Sequence, residues 1–107
     1  MLQGDIYWLE GNDESRRRPV LVLTRNSGLS ILTSVTVAPL TTTVRKSPTW
    51  IEVPESEGVA KRSFVNLDQI QTVRSYRLEE FITRLSVGRL REVARAIDFA
   101  LGLDLLR

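Results

Sequence analysis

The sequence has no cysteine and no histidine. Without cysteine there are no disulfides and no thiolate metal site. Without histidine the commonest metal ligand and the commonest acid–base group both disappear. Cys/His and Ser/His/Asp nucleophile systems are excluded, and so is a two-histidine ribonuclease mechanism. Acidic residues are scattered, with neighbours only at Asp13/Glu14 and Glu79/Glu80, which read as solvated turns. Metal chemistry would need clustered carboxylates, so no metal and no cofactor is expected. No apolar run approaches bilayer length. The opening "MLQGDIYWLE" lacks the basic start and long apolar core of a signal peptide. A cytoplasmic protein with no membrane partner is the simplest reading.

What is present is a chain of 107 residues, 42% apolar and 26% charged. That suits one globular domain with its own core. Lysine is also scarce. Thirteen arginines stand against Lys46 and Lys61, with a net charge of +2. Arginine matches phosphate with a planar pair of donors and stacks on bases. The balance favours a nucleic acid partner, although a coding bias toward arginine would give the same composition.

Short apolar runs separated by polar segments dominate the chain up to about residue 85. Gly4–Leu9, Val20–Leu23, Ile31–Pro39, Thr49–Val53, Ser63–Leu67, Gln69–Val73 and Phe81–Leu85 read as strands. Val20–Leu23 is apolar throughout, which suits burial on both faces. Glu10–Arg18, Arg25–Gly28, Thr41–Pro48 and Pro54–Lys61 read as loops or turns. Beyond Ser86 the period changes. Val87, Leu90, Val93, Ala94, Ile97 and Leu101 fall on one helical face over about 87–102. Ser86 suits the N-cap and Gly102 the C-terminal stop. The expected class is mainly β with a C-terminal helix, one domain over residues 1–107, built as a small twisted barrel or sandwich.

The stretch "SRRRPVLVLTR" sets a triple arginine at the mouth of the most apolar strand. Arg16, Arg17 and Arg18 read either as a wet loop or as a phosphate site. Thr41, Thr42 and Thr43 read as strand-end residues or as hydroxyl donors. Asp68 interrupts an apolar stretch, as a bulge or exposed edge would. Trp8 and Trp50 read first as core or interface.

Five segments occur in order: "GDIYW", "RRPVLVL", "VAPLTT", "LDQIQTV" and "RLSVGRLREVARAIDFALGL". Together they resemble the MazF/PemK family of toxin endoribonucleases from Gly4 to about Leu103. The resemblance implies an SH3-like small β-barrel with a C-terminal helix, working as a homodimer. It implies metal-independent, sequence-specific cleavage of single-stranded RNA, leaving 2′,3′-cyclic phosphate and 5′-hydroxyl ends. It also implies a cognate MazE-like antitoxin as partner. By position, the catalytic pair is Arg18, before the Pro of the "RP" strand start, and Thr41, after "VAPL". Arg18 would stabilise charge on the phosphate and serve as a candidate acid for the leaving 5′-oxygen. Asp68 takes part in some members. Arg16, Arg17, Thr42 and Gln69 are auxiliary RNA-binding candidates.

The chain departs from the family in the loop before Arg18. Many relatives carry Gly-Ser-Glu-Gln in a longer connection there, where this chain reads "EGNDESRR". Either Asp13 or Glu14 stands in for that glutamate. Some members place an arginine two residues before the Asp of "DQ", where this chain has Asn66. Two other functions share the architecture. Gyrase-poisoning toxins use a Trp-Gly tail that is absent from "DFALGLDLLR". A barrel that binds RNA or protein without catalysis is the other alternative.

Overall fold

The computed structural model describes residues 1–11 and 16–107. Seven strands and a C-terminal helix make up the fold. The strands are β1 (Asp5–Leu9), β2 (Arg18–Val22), β3 (Ser34–Thr41), β4 (Trp50–Val53), β5 (Ser63–Asn66), β6 (Gln71–Arg74) and β7 (Leu78–Arg84). A one-turn helix α1 (Asn26–Leu29) follows β2, and α2 (Val87–Ala100) closes the chain. The hydrogen-bonded order is β4-β5-β3-β2-β1-β7, with β6 paired to β3 as well. All pairings are antiparallel. This is the mainly β class with a terminal helix, as the resemblance implies. The barrel is not closed: among the described residues the ladder ends at β4 and β7.

The alternation of strand side chains sorts the core into two clusters. Leu21, Ala38 and Leu40 face the cluster under α2, with Ile6, Val53, Val65 and Leu67. Val20, Val22, Val35 and Val37 face the opposite side with Leu9, Val73 and Leu78. The continuous apolar run of β2 therefore fills both. Asp5, almost fully buried, accepts the Leu2 N–H and pairs with Arg84 at 2.6 Å, tying β1 to β7.

Several boundaries differ from the sequence reading. The segment Arg25–Gly28 forms most of α1, with Arg25 at its N-cap, and β3 begins only at Ser34. Ile31 and Leu32 are exposed after that turn. Strand β7 starts at Leu78, so Glu79 and Glu80 lie on a strand and not in a turn. The face of α2 is rotated as well. Val93 and Ala96 are its buried residues, with Leu90, Ile97 and Ala100 packed beside them. Val87 and Leu101 are exposed, and so is Ala94. Ser86 caps the helix by accepting the Arg89 N–H, and Gly102 takes φ +68°.

Candidate functional site

Strands β2 and β3 are paired as far as Val20 opposite Pro39. Proline has no N–H to continue that ladder. From Leu40 onward β3 pairs instead with β5, Leu40 opposite Val65 and Thr41 opposite Phe64. The two strands separate, and their ends face each other across the gap. Arg18 opens β2 and Thr41 closes β3. Continuing the shared register would set one opposite the other.

A groove of about 510 Å³ occupies this gap. Arg18, Thr41, Thr42, Lys61 and Ser63 supply its polar lining. Trp8, Pro19, Val59 and Ile82 supply its apolar walls. Among the described residues, two cations and no carboxylate line it, which favours an anion there. Among the described residues, the Arg18 side chain makes no ion pair or hydrogen bond, and it is exposed. The Thr43 N–H donates to Thr41 Oγ1 at 3.2 Å. That contact fixes the oxygen and leaves the hydroxyl hydrogen for an acceptor in the groove.

The remaining candidates separate into groups. Arg17 sits over the Trp8 ring, 4.8 Å from its centre, and pairs with Glu80 at 2.9 Å. It reaches the groove rim through Trp8 but is already engaged by a carboxylate. Arg16 is exposed next to it. Asp13 and Glu14 lie outside the described residues. Asp68 stands in the turn between β5 and β6 and is not part of the groove lining. Its carboxylate accepts the Thr49 hydroxyl at 2.6 Å, and its N–H donates to Asn66 Oδ1 at 2.9 Å. Gln69 lines a neighbouring recess that shares Arg18 with the groove.

Three groove residues carried little sequence signal. Lys61 and Val59 come from the segment "PESEGVAK", which reads as a solvated loop. Its course is set by contacts remote in sequence. Thr83 Oγ1 donates to the Glu57 carbonyl at 2.7 Å, and the Glu57 carboxylate accepts both the N–H and the hydroxyl of Ser86, at 3.0 and 2.9 Å. The Ser86 donors hold the Glu57 carboxyl below its ordinary pKa, the backbone N–H contributing most. Trp8 was expected in core or interface, and its half-buried ring forms a groove wall instead.

The sequence pattern of one family, described as PemK-like, MazF-like toxin of type II toxin-antitoxin system, matches residues 2–101. The chain belongs to the PemK/MazF toxin family. It is 34% identical to a protein named Endoribonuclease MazF from Staphylococcus saprophyticus, over 100% of this chain and 96% of that one. Among solved structures it resembles Mycobacterium tuberculosis toxin MazF-mt6, with a TM-score of 0.83 and 36% identity, covering 92% of this chain and 96% of that one. It also resembles an endoribonuclease in complex with its cognate antitoxin from mycobacterial species, with a TM-score of 0.87 and 26% identity, covering 96% of each chain. The groove between the ends of β2 and β3 is thus set within a PemK/MazF fold.

Proposed function

We propose that this protein is the toxin of a toxin–antitoxin pair and a metal-independent endoribonuclease, with Arg18 and Thr41 as its catalytic residues. Family membership and the name endoribonuclease on a relative matched along its whole length support the activity. The observation that carries the site is the convergence of Arg18, Thr41 and Lys61 on one groove that, among the described residues, no carboxylate lines.

The chemistry follows from what those groups can do. The RNA 2′-oxygen bonds to the adjacent phosphorus as the bond from phosphorus to the 5′-oxygen breaks. The 2′-hydroxyl gives its proton to solvent water, and the 5′-oxygen takes one from the Arg18 guanidinium, which solvent then reprotonates. The products are a 2′,3′-cyclic phosphate and a 5′-hydroxyl. Negative charge grows on the non-bridging oxygens in between. The Arg18 guanidinium meets that charge with two donors, and the Thr41 hydroxyl adds a third. A guanidinium keeps its proton too tightly to serve as a base at neutral pH, so Arg18 acts as stabiliser and as acid toward the 5′-oxygen. Lys61 and Arg17 hold flanking phosphates as point charges. Thr42 lines the same wall. Arg16 and Gln69 bind RNA beside the reacting phosphate, and Asp68 acts by holding the loop that follows Thr41.

The partners are single-stranded RNA, a second copy of this chain in a homodimer, and an acidic antitoxin that competes for the cationic groove. The cytoplasm is the proposed location. The test is incubation with a long mixed-sequence RNA in EDTA, followed by mapping of the 5′ ends. Discrete cuts ending in 5′-hydroxyl are expected, and a substrate with 2′-deoxyribose at the cut nucleotide should resist. A folded protein that leaves RNA intact would move the reading to a non-catalytic barrel or a gyrase-poison-like toxin.

A further inference from the structure

Arg18 belongs to two cavities. On one side lies the groove shared with Thr41. On the other lies a recess of about 340 Å³, near the lower end of ligand sites at roughly 300–1,000 Å³. Its surroundings are chemically distinct. Leu9, Val20 and Pro39 give it an apolar floor, and Gln69 and Gln71 give it two carboxamides. Among the described residues, Arg18 is the only charged residue lining it.

A second phosphate is poorly served there, since the one cation already faces the groove. A flat apolar surface edged by carboxamides is suited to a nucleobase, which has apolar faces and a polar rim. The backbone of Gln71 is held in β6, paired to Val37 of β3. By strand alternation its side chain shares a face with Val73, which is buried in the cluster beneath the recess. Gln71 is therefore rooted in a rigid element. Gln69 is set by the preceding turn, its N–H donating to the Asn66 carbonyl at 3.3 Å. Among the described residues, neither carboxamide makes a hydrogen bond, and both side chains are exposed.

We propose that this recess holds the nucleobase next to the phosphate at Arg18, and that Gln71 reads its edge. The inference rests on the nuclease reading and adds a determinant of sequence specificity to it. A carboxamide offers one donor and one acceptor side by side. The base it matches best with two bonds is adenine, through N6 and N7. Glutamate in its place offers acceptors only, which match the paired N1–H and N2–H donors of guanine.

The experiment compares cut-site profiles of the wild type, Gln71→Ala and Gln71→Glu on one mixed-sequence RNA, read with the side-chain amide NMR signals of the wild type titrated with adenosine, guanosine, cytidine and uridine 3′-monophosphates. The wild type should prefer adenine at one position beside the cut. Gln71→Ala should lose that preference by about five- to a hundredfold at that position alone. Gln71→Glu should shift it toward guanine. The Gln71 carboxamide should move most with adenosine 3′-monophosphate. Cleavage with one unchanged profile in all three proteins would overturn the base site and leave the nuclease reading intact. If no protein cuts RNA, the nuclease reading fails, and the titration decides the recess alone: still carboxamide signals would overturn it.

Discussion

The Asp68 carboxylate accepts the Thr49 hydroxyl at 2.6 Å, joining the turn after β5 to the start of β4. Thr49 is buried and also shares a hydrogen bond with Ser47 Oγ at 2.9 Å. The loop that follows Thr41 is therefore fastened at its far end by Asp68. Substituting Thr49→Val should cost about 1 kcal/mol of stability, near the ordinary worth of one hydrogen bond, measured by urea unfolding. Cleavage should slow more than RNA binding weakens, because Thr41 loses its fixed position while the cations remain. An Asp68 that contacted RNA directly would instead show its main loss in binding.

Glu57 links the helix to the groove wall. Its carboxylate holds both donors of Ser86, the cap of α2, while its own chain leads to Val59 and Lys61. Glu57→Ala leaves the Ser86 cap in place but removes the acceptor of its two hydrogen bonds, and should cost about 1 kcal/mol, with Glu57→Gln retaining most of the stability. The pH dependence follows from the lowered pKa. The stabilisation is complete above the ordinary carboxylate value of 4.5 and is lost as pH falls through the lower folded value. Acid unfolding of Glu57→Gln should lack that component.

Gly58 follows at φ +105°, where a Cβ would lie 2.3 Å from Thr83 Oγ1. Left-handed backbone alone costs a non-glycine residue roughly 1–2 kcal/mol. Gly58→Ala should therefore destabilise by at least that much in thermal unfolding. Adding Thr83→Ser should not restore it, since the hydroxyl oxygen that collides is kept.

Much of this architecture could be read from the sequence, for identifiable reasons. Val20–Val22 is apolar because both faces are buried, and Ser86 and Gly102 mark α2 by the chemistry of helix ends. Strand β7 was read short because its register against β1 shifts twice, at Ile6/Tyr7 and Tyr7/Leu9. Those irregularities break the alternation that identifies a strand. The face of α2 was misplaced because Ala94 and Ala96 look alike in sequence, and only packing against the sheet chooses Ala96. Arg18 and Thr41 were found through the family resemblance. Lys61 and Val59 were not, since their place in the groove is fixed by Glu57, Thr83 and Ser86, which are distant in the chain.

Arg17 and Glu80 form an exposed pair at 2.9 Å, and such pairs add little to stability. Glu80→Gln should leave the melting temperature unchanged. It should tighten RNA binding, because the guanidinium over Trp8 is released for phosphate. Arg17→Ala should lower the slope of log affinity against log salt by about one phosphate contact. Binding isotherms at several salt concentrations measure both.

In the proposed mechanism Arg18 and Thr41 act together on one phosphate. Single-turnover cleavage in EDTA, with folding checked by circular dichroism, tests it most directly. Arg18→Ala should reduce the rate by about 10²–10³-fold, as removal of one transition-state donor does. Thr41→Ala should also slow it, by a smaller factor. Arg18→Lys should stay far below wild type, because an ammonium cannot supply two fixed donors. A folded Arg18→Ala protein that cuts at the wild-type rate would contradict the account.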